Sequence, residues 1–260
     1  MRTLRSIVMA AIAVLVSANF VACSKDAVGD PFSTIKKYAN EKKLVKIVSE
    51  NVAYGSTEEE TVTFKYDNNG RLVETVTNRK SSYEECSSVA EYVWTNDAVI
   101  YREEETSGNE YRTYECKYKI SNGLVRKIYD VDEEYPLSYN SDGRYNEDGL
   151  LEWNGDKLMC TYGDYMSLYT YGEPCKNGYL PFFSFDSSSL FLAHPELLGV
   201  RTKQLPQSCR STAYYAQNVD PYSSTYEYEF DADGYVTKQK VTQIYESGFT
   251  LVFTDNFTWE

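Results

Sequence analysis

Hydrophobic and polar residues alternate with a period of two from Leu44 onward, which is the pattern of strands with one buried face. One such strand ends at Tyr66 and runs into the turn sequence Asp-Asn-Asn-Gly of residues 67–70. The aspartate side chain can bond the backbone of its own turn, and the glycine can adopt the positive φ that lets the chain reverse with a bulge. The pattern therefore predicts a hairpin whose returning strand starts at Arg71.

Weaker copies of this strand-and-turn pattern recur up to residue 236. The residues that enter the first turns, Tyr66, Trp94 and Ile120, are 28 and 26 residues apart, a spacing that suits one antiparallel hairpin per copy. Tighter Asn- and Asp-rich turns are predicted at residues 139–143, 145–149, 153–156 and 231–234. Because an isolated hairpin is only marginally stable, the copies are expected to pair side by side in a meander.

The strand pattern breaks at Cys175. Residues 176–210 carry large apolar side chains without the strand period, namely Phe182, Phe183, Leu190, Phe191, Leu192, Leu197 and Leu198. Exposed together, these side chains would form an apolar patch of a kind that soluble domains avoid. Pro195 and Gly199 are placed to start and stop a helical turn. We therefore expect a lid or plug of short helices packed on the concave face of the sheet, filling the interior.

The predicted fold is all-β: an antiparallel meander of hairpins that forms a strongly curved sheet or partly closed barrel, with the short-helix segment packed on it. Residues 44–260 are expected to form this single domain. Residues 23–43 are predicted to be a tether that contains a short helix from Thr34, whose hydroxyl could cap it.

The N-terminus has the pattern of a secretory signal. Arg2 and Arg5 precede an apolar run of about ten residues, which is too short to span a membrane and suits a signal peptide at residues 1–22. The junction Phe-Val-Ala-Cys resembles the bacterial lipobox, which implies that Cys23 is acylated and starts the mature chain. An ordinary signal with cleavage elsewhere is the alternative.

The residues after the predicted lipid site bear on location. Ser24-Lys25-Asp26 places no aspartate directly beside the cysteine, unlike the retention signal of the enterobacterial inner membrane, so the outer membrane is favoured. The Ser/Lys/Asp cluster also resembles the surface-export signal of Bacteroidetes lipoproteins. Surface display is therefore the prediction, with a periplasm-facing location as the alternative.

The charge of the chain excludes some partners. Arg2 and Arg5 are the only charged residues among the first 22, so removing the signal changes the net charge from −13 to −15. A chain this acidic is repelled by nucleic acid and by anionic lipid. We therefore expect the protein to contact the membrane only through its N-terminal lipid. The 25 tyrosines are typical of strands with half-buried faces, and they suit contacts to a glycan or a protein partner.

No metal site or cofactor is predicted. His194 is the single histidine, no Cys-x-x-Cys spacing occurs, and the Asn- and Asp-rich turns lack the ligand pattern of a calcium-binding hand. With Cys23 acylated, an odd number of cysteines remains in an oxidising compartment, so two disulfides and one buried thiol are expected. Their connectivity is left open among Cys86, Cys116, Cys160, Cys175 and Cys209.

Two resemblances accompany these patterns. Residues 66–72, Tyr-Asp-Asn-Asn-Gly-Arg-Leu, resemble the core of the YD repeats of Rhs-type proteins, where it builds successive hairpins. The lipobox and hairpins, together with His-Pro-Glu-Leu-Leu-Gly at 194–199, Gln-Leu-Pro at 204–206 and Phe-Asp-Ala-Asp-Gly-Tyr-Val at 230–236, resemble Bacteroidetes lipoproteins of unknown function with a porin-like fold. That resemblance implies a curved sheet or partly closed barrel and brings no catalytic residues.

Two functions fit the sequence. The first is a surface-tethered, non-catalytic binding module whose aromatic side chains contact a glycan or a protein. The second is a periplasm-facing carrier or envelope-assembly factor that holds an apolar ligand in a half-closed barrel under the lid. An enzyme is not expected, because the abundant acids fall mostly in turns and on solvent faces.

Overall fold

The computed structural model describes residues 32–53, 56–82, 85–130, 133–146, 149–175, 189–215 and 219–260. The predicted signal peptide, Cys23, Phe182 and Phe183 lie outside these ranges. Two short helices, α1 (Ser33–Lys37) and α2 (Ser189–Ala193), and a 3₁₀ turn, Pro195–Leu198, accompany the strands. The strands are β1 (Leu44–Ala53), β2 (Ser56–Tyr66), β3 (Leu72–Lys80), β4 (Glu85–Trp94), β5 (Ala98–Ser107), β6 (Glu110–Ser121), β7 (Leu124–Asp130), β8 (Glu133–Pro136), β9 (Leu151–Asn154), β10 (Lys157–Tyr162), β11 (Tyr165–Pro174), β12 (Gln204–Ala213), β13 (Tyr222–Phe230), β14 (Val236–Tyr245) and β15 (Thr250–Trp259).

All 15 strands described belong to one antiparallel sheet, which confirms the predicted meander. The order is β8-β7-β6-β5-β4-β3-β2-β1-β15-β14-β13-β12-β11-β10-β9. Strands β1 and β15 pair in the middle of the sheet, with Ile47 opposite Phe257, so the first and last of the described strands join its two halves. Strands β8 and β9, which follow one another in sequence, are the two outer edges.

The sheet is strongly curved. Arg79 of β3 and Tyr169 of β11 line the same cavity, although seven strand spacings separate their strands in the sheet order. In a flat sheet that separation would be about 34 Å, at about 4.8 Å per spacing. The curvature brings the outer edges toward each other, and residues 137–150 connect them. In the described part of the chain β8 and β9 share no ladder, so the sheet stays open.

The predicted turn chemistry is present. Gly70 has φ +74°, and Asp67 Oδ1 accepts hydrogen bonds from two backbone N–H groups of its own turn, at 2.8 and 3.0 Å. Oδ1 of the first residue accepts equivalent bonds in the turns at residues 140–143 and 231–234, whose glycines have φ +74° and +84°. The same arrangement, an Asp or Asn side chain bonded to its own turn and a glycine with positive φ, therefore forms all three of these turns.

The short helices form a plug at the end of the sheet where β2 and β13 finish, which is called the plugged end below. Ile35 of α1, Leu190 of α2 and Leu197 of the 3₁₀ turn are at most 1% exposed and lie in the hydrophobic core. The predicted packing of a short-helix segment on the sheet is confirmed. Its predicted end at Arg210 is corrected, because β12 starts at Gln204 and the residues from there on follow strand geometry.

The helix predicted from Thr34 exists, but two details differ. Its N-cap is Phe32, and the Thr34 hydroxyl donates to the carbonyl oxygen of Gly123 at 3.0 Å instead of capping the helix. Ile35 is buried in the core, because the helix seals the plugged end. The described part of residues 23–43 therefore packs against the sheet, where the sequence predicted a tether outside the domain.

The expectation of two disulfides is wrong, since all five cysteines of the domain are thiols. Cys86 and Cys116 lie on β4 and β6, and Cys160 and Cys209 lie on β10 and β12, so one strand separates each pair. Two strand spacings amount to about 9.6 Å, beyond the ~7 Å Cα separation that a disulfide can bridge. Cys175 donates to a backbone carbonyl oxygen at 3.4 Å instead.

Candidate functional site

The inward positions of the central strands change character along their length. On β1, Ile47 is buried in the core, whereas Ser49 and Asn51, two and four residues further on, are polar. On β15, Phe257 is buried in the core and Asp255 is the next residue on that face. Because side chains alternate in a strand, these polar groups share the inner face with the core residues. The inside of the sheet is therefore apolar at the plugged end and polar toward the opposite end.

A cavity of about 590 Å³ occupies the polar end, where β1 and β14 finish and β15 starts. This end is called the open end below. Eight strands contribute to the lining, which consists of Ser49, Asn51, Glu58, Glu60, Arg79, Tyr169, Cys209, Tyr222, Ser224, Tyr226, Gln239, Val241, Gln243, Phe253 and Asp255. The expectation that the plug fills the interior is therefore correct for the plugged end and wrong for the open end.

Asp255 lies at the centre of this lining. The register places it opposite Ser49 on one side and opposite Gln239 on the other. Ser49 Oγ donates to Asp255 Oδ1 at 2.6 Å. Burial raises the pKa of Asp255 above its usual value, the Ser49 hydrogen bond opposes this, and the nearby Glu60 carboxylate adds to it. The carboxylate is therefore held at an energetic cost in this position.

Arg79 forms salt bridges with both glutamates of the lining. Its Nη2 donates to Glu60 Oε2 at 2.7 Å, and its Nε lies 3.3 Å from Glu58 Oε1. The hydrogen bond to Glu60 is the main cause of a raised Arg79 pKa. Among the described residues, no lysine or arginine forms a salt bridge with Asp255, and Arg79 pairs with Glu58 and Glu60 instead. The cavity as a whole thus carries three carboxylates and one guanidinium.

Tyrosines surround the mouth of the cavity. The ring of Tyr222, which lines the cavity, lies 5.2 Å from the ring of Tyr165 and 5.3 Å from that of Tyr245, between ring centroids. These rings come from the ends of β11, β13 and β14 that lie at the open end. They supply flat apolar faces at the entrance to a polar cavity.

His194, the single histidine, takes a structural position in the plug. Its Nε2 accepts a hydrogen bond from the Leu72 backbone N–H at 3.1 Å, so the proton of the neutral ring lies on Nδ1 and is donated to Glu196 Oε1 at 3.0 Å. Glu196 Oε2 also accepts from Arg201 Nε at 3.2 Å. Both ring nitrogens are used and the ring is 1% exposed, so this group is not placed for acid–base chemistry on a ligand.

No family model matches the chain, and no curated protein matches it. Among solved structures, a porin-like protein from Bacteroides uniformis covers 84% of this chain and 96% of its own, with a TM-score of 0.53 and 16% sequence identity. The chain has a porin-like fold. A porin-like protein from Bacteroides vulgatus aligns over 85% of this chain and 99% of its own, with a TM-score of 0.29 and 12% identity.

The porin-like fold brings together residues that the sequence alone did not single out. Ser49, Gln239 and Asp255 become neighbours only because β1 and β14 both pair with β15. The sequence offered one signal for them: along the inward-facing positions of a strand, apolar residues give way to polar ones, as Ile47 does to Ser49 and Asn51 on β1. No helix in the described part of the chain is long and apolar enough to cross a bilayer.

Proposed function

We propose that this protein is an outer-membrane lipoprotein, anchored through Cys23 and displayed on the cell surface, that binds a glycan without catalysis. The cavity at the open end is the observation that carries the proposal. Its volume of about 590 Å³ falls within the range of preformed small-molecule sites, and it suits one or two sugar units.

The chemistry of the lining favours a sugar. Carboxylate, amide and hydroxyl groups, such as those of Asp255, Asn51 and Ser224, can form hydrogen bonds with sugar hydroxyls. The aromatic rings of Tyr222 and Tyr226 can pack against the apolar face of a pyranose. An apolar cargo, as in the carrier alternative, would leave the polar lining without partners, at a cost of about 1–3 kcal/mol for each buried group.

Titration calorimetry with a panel of neutral disaccharides first identifies the disaccharide that the wild type binds most tightly. We expect Tyr222→Leu to weaken binding of that disaccharide about tenfold, equivalent to about 1.4 kcal/mol, because the ring supplies a packing face at the cavity mouth. Tyr111→Leu is the matched control, since Tyr111 is 59% exposed and lies outside the cavity. Equal affinities of the two variants would contradict the assignment of the site, and release of a cleaved sugar would contradict the absence of catalysis.

The anchor is tested separately. Cys23→Ala should release the protein from membranes or leave it as unprocessed precursor, because the acyl chains would have no attachment site. Membrane fractionation and the mass of the mature N-terminus measure this, with Cys86→Ala as the control that keeps its lipid. Wild-type protein that carries no lipid at its N-terminus would refute the anchor. Protease digestion of whole cells then distinguishes surface display from a periplasm-facing location.

A further inference from the structure

The cavity at the open end has an unbalanced charge. Glu58, Glu60 and Asp255 contribute three carboxylates, and Arg79 contributes the guanidinium that bonds both glutamates. Arg79 is thus used by the two glutamates. Among the described residues, the Ser49 hydroxyl is the only group that donates a hydrogen bond to the Asp255 carboxylate. A negatively charged ligand would be repelled here, and a positively charged one would be attracted.

A second observation is independent of the acidic residues. Gln239 is 3% exposed, lines the cavity and stands opposite Asp255 in the sheet register. Its side-chain oxygen is buried without a hydrogen-bond partner in the described structure. Leaving a buried acceptor unpaired destabilises the fold, and a ligand that donates a hydrogen bond to it would remove that cost.

We propose that the ligand of this cavity carries a protonated amine, which binds between Asp255 and Gln239. This inference rests on the proposed function and narrows the glycan to one that contains an amino sugar. An ammonium group is a donor of three hydrogen bonds and accepts none, which matches a carboxylate beside an unpaired amide oxygen. The π-faces of Tyr226 and Phe253, which line the same cavity, add attraction for a cation.

An organic cation suits this lining better than a metal ion. Among the described residues, no group of three or more His, Cys, Asp or Glu side chains is arranged to hold a metal. Hard cations such as calcium take six or more oxygen ligands, and Glu58 and Glu60 already accept from Arg79. The aromatic share of the lining also has no role in holding a metal ion, whereas it suits a ligand with an organic body.

The test compares the β-1,4-linked disaccharide of glucosamine with its N-acetylated counterpart and with cellobiose, by titration calorimetry at pH 6, where the free amine is protonated. The wild type should bind the glucosamine disaccharide at least about tenfold more tightly than either neutral sugar, as expected for a charge-assisted pair. Asp255→Asn should abolish the preference while keeping an acceptor for Ser49. Asp142→Asn, which makes the same change in an exposed turn of the plugged end, should leave it intact.

The outcomes separate this inference from the proposed function. Neutral sugars that bind as tightly as the amine, with Asp255→Asn unchanged, would overturn the inference and leave glycan binding in place. Binding of 1,3-diaminopropane through Asp255 in the absence of any sugar response would support the amine and overturn the glycan. Failure of every probe to bind a folded wild-type protein would overturn both.

Discussion

Gly199→Ala should lower the free energy of unfolding by about 3 kcal/mol or more, because the added methyl group meets backbone atoms that have no room to move. A Cβ at this position would lie 2.1 Å from the Gly143 carbonyl oxygen. Gly199 also has φ +66°, the left-handed conformation that ends the 3₁₀ turn Pro195–Leu198. Thermal unfolding should show a fall in Tm of about 6–12 °C, at about 2–4 °C per kcal/mol for a domain of this size.

Gly155→Ala is the matched control. Gly155 has φ +60°, so alanine meets the same backbone strain, but no atom lies within 4 Å of its Cβ position. The expected cost is about 1–2 kcal/mol, from the left-handed conformation alone. The difference between the two variants measures how closely the plug approaches the turn at residues 140–143. Equal changes in Tm would contradict that close approach.

His194→Ala should destabilise the protein by about 3–5 kcal/mol, because it removes both hydrogen bonds of a buried ring and leaves Glu196 with Arg201 as its remaining side-chain partner. The Leu72 backbone N–H would lose its acceptor, and Glu196 would lose one of its donors inside the plug. Urea unfolding at pH 7 measures the change. Lys36→Ala, at an exposed position of α1, is the control that should stay within about 0.5 kcal/mol of the wild type. A similar midpoint for both variants would show that this pair does not hold the plug.

The same pair gives stability a pH dependence. Burial alone would raise the pKa of Glu196, but the hydrogen bond from His194 and the positive charge of Arg201 outweigh it and hold the pKa below its usual value. The folded state therefore binds the Glu196 proton less tightly than the unfolded chain does. This contribution is complete above the unfolded pKa of about 4.3 and is lost as the pH falls through the folded value. Glu196→Gln should accordingly flatten the loss of stability in acid.

Features set by nearby residues were predictable from the sequence. The turn at residues 67–70 follows from one aspartate and one glycine, and its later copies follow the same rule. The period of two predicted the strands, and the apolar segment that includes Leu190 and Leu197 predicted a plug because those side chains needed cover. Each of these inferences needed only residues that are close in sequence.

Features set by long-range pairing were not predictable. Ser49 and Asp255 are 206 residues apart, so nothing local indicated their hydrogen bond or the cavity around it. The bond from the Leu72 backbone to His194 spans 122 residues and is equally hidden. The prediction of two disulfides was wrong for a related reason, because a count of cysteines does not show which strands lie between them. Sheet order decides the Ser49–Asp255 bond and the separation of the cysteines, and the packing of the plug on the sheet decides the His194 bond.

Glycan binding at the open end is tested most directly by a crystal structure of the protein in complex with the tightest-binding disaccharide of the panel. We expect density for the sugar inside the curved sheet at the open end, with a polar group within about 3 Å of Asp255 and a ring face against Tyr222. The plug around His194 should stay in place. Density for the sugar on the outer face of the sheet, or a cavity filled by the protein's own side chains, would contradict glycan binding at the open end.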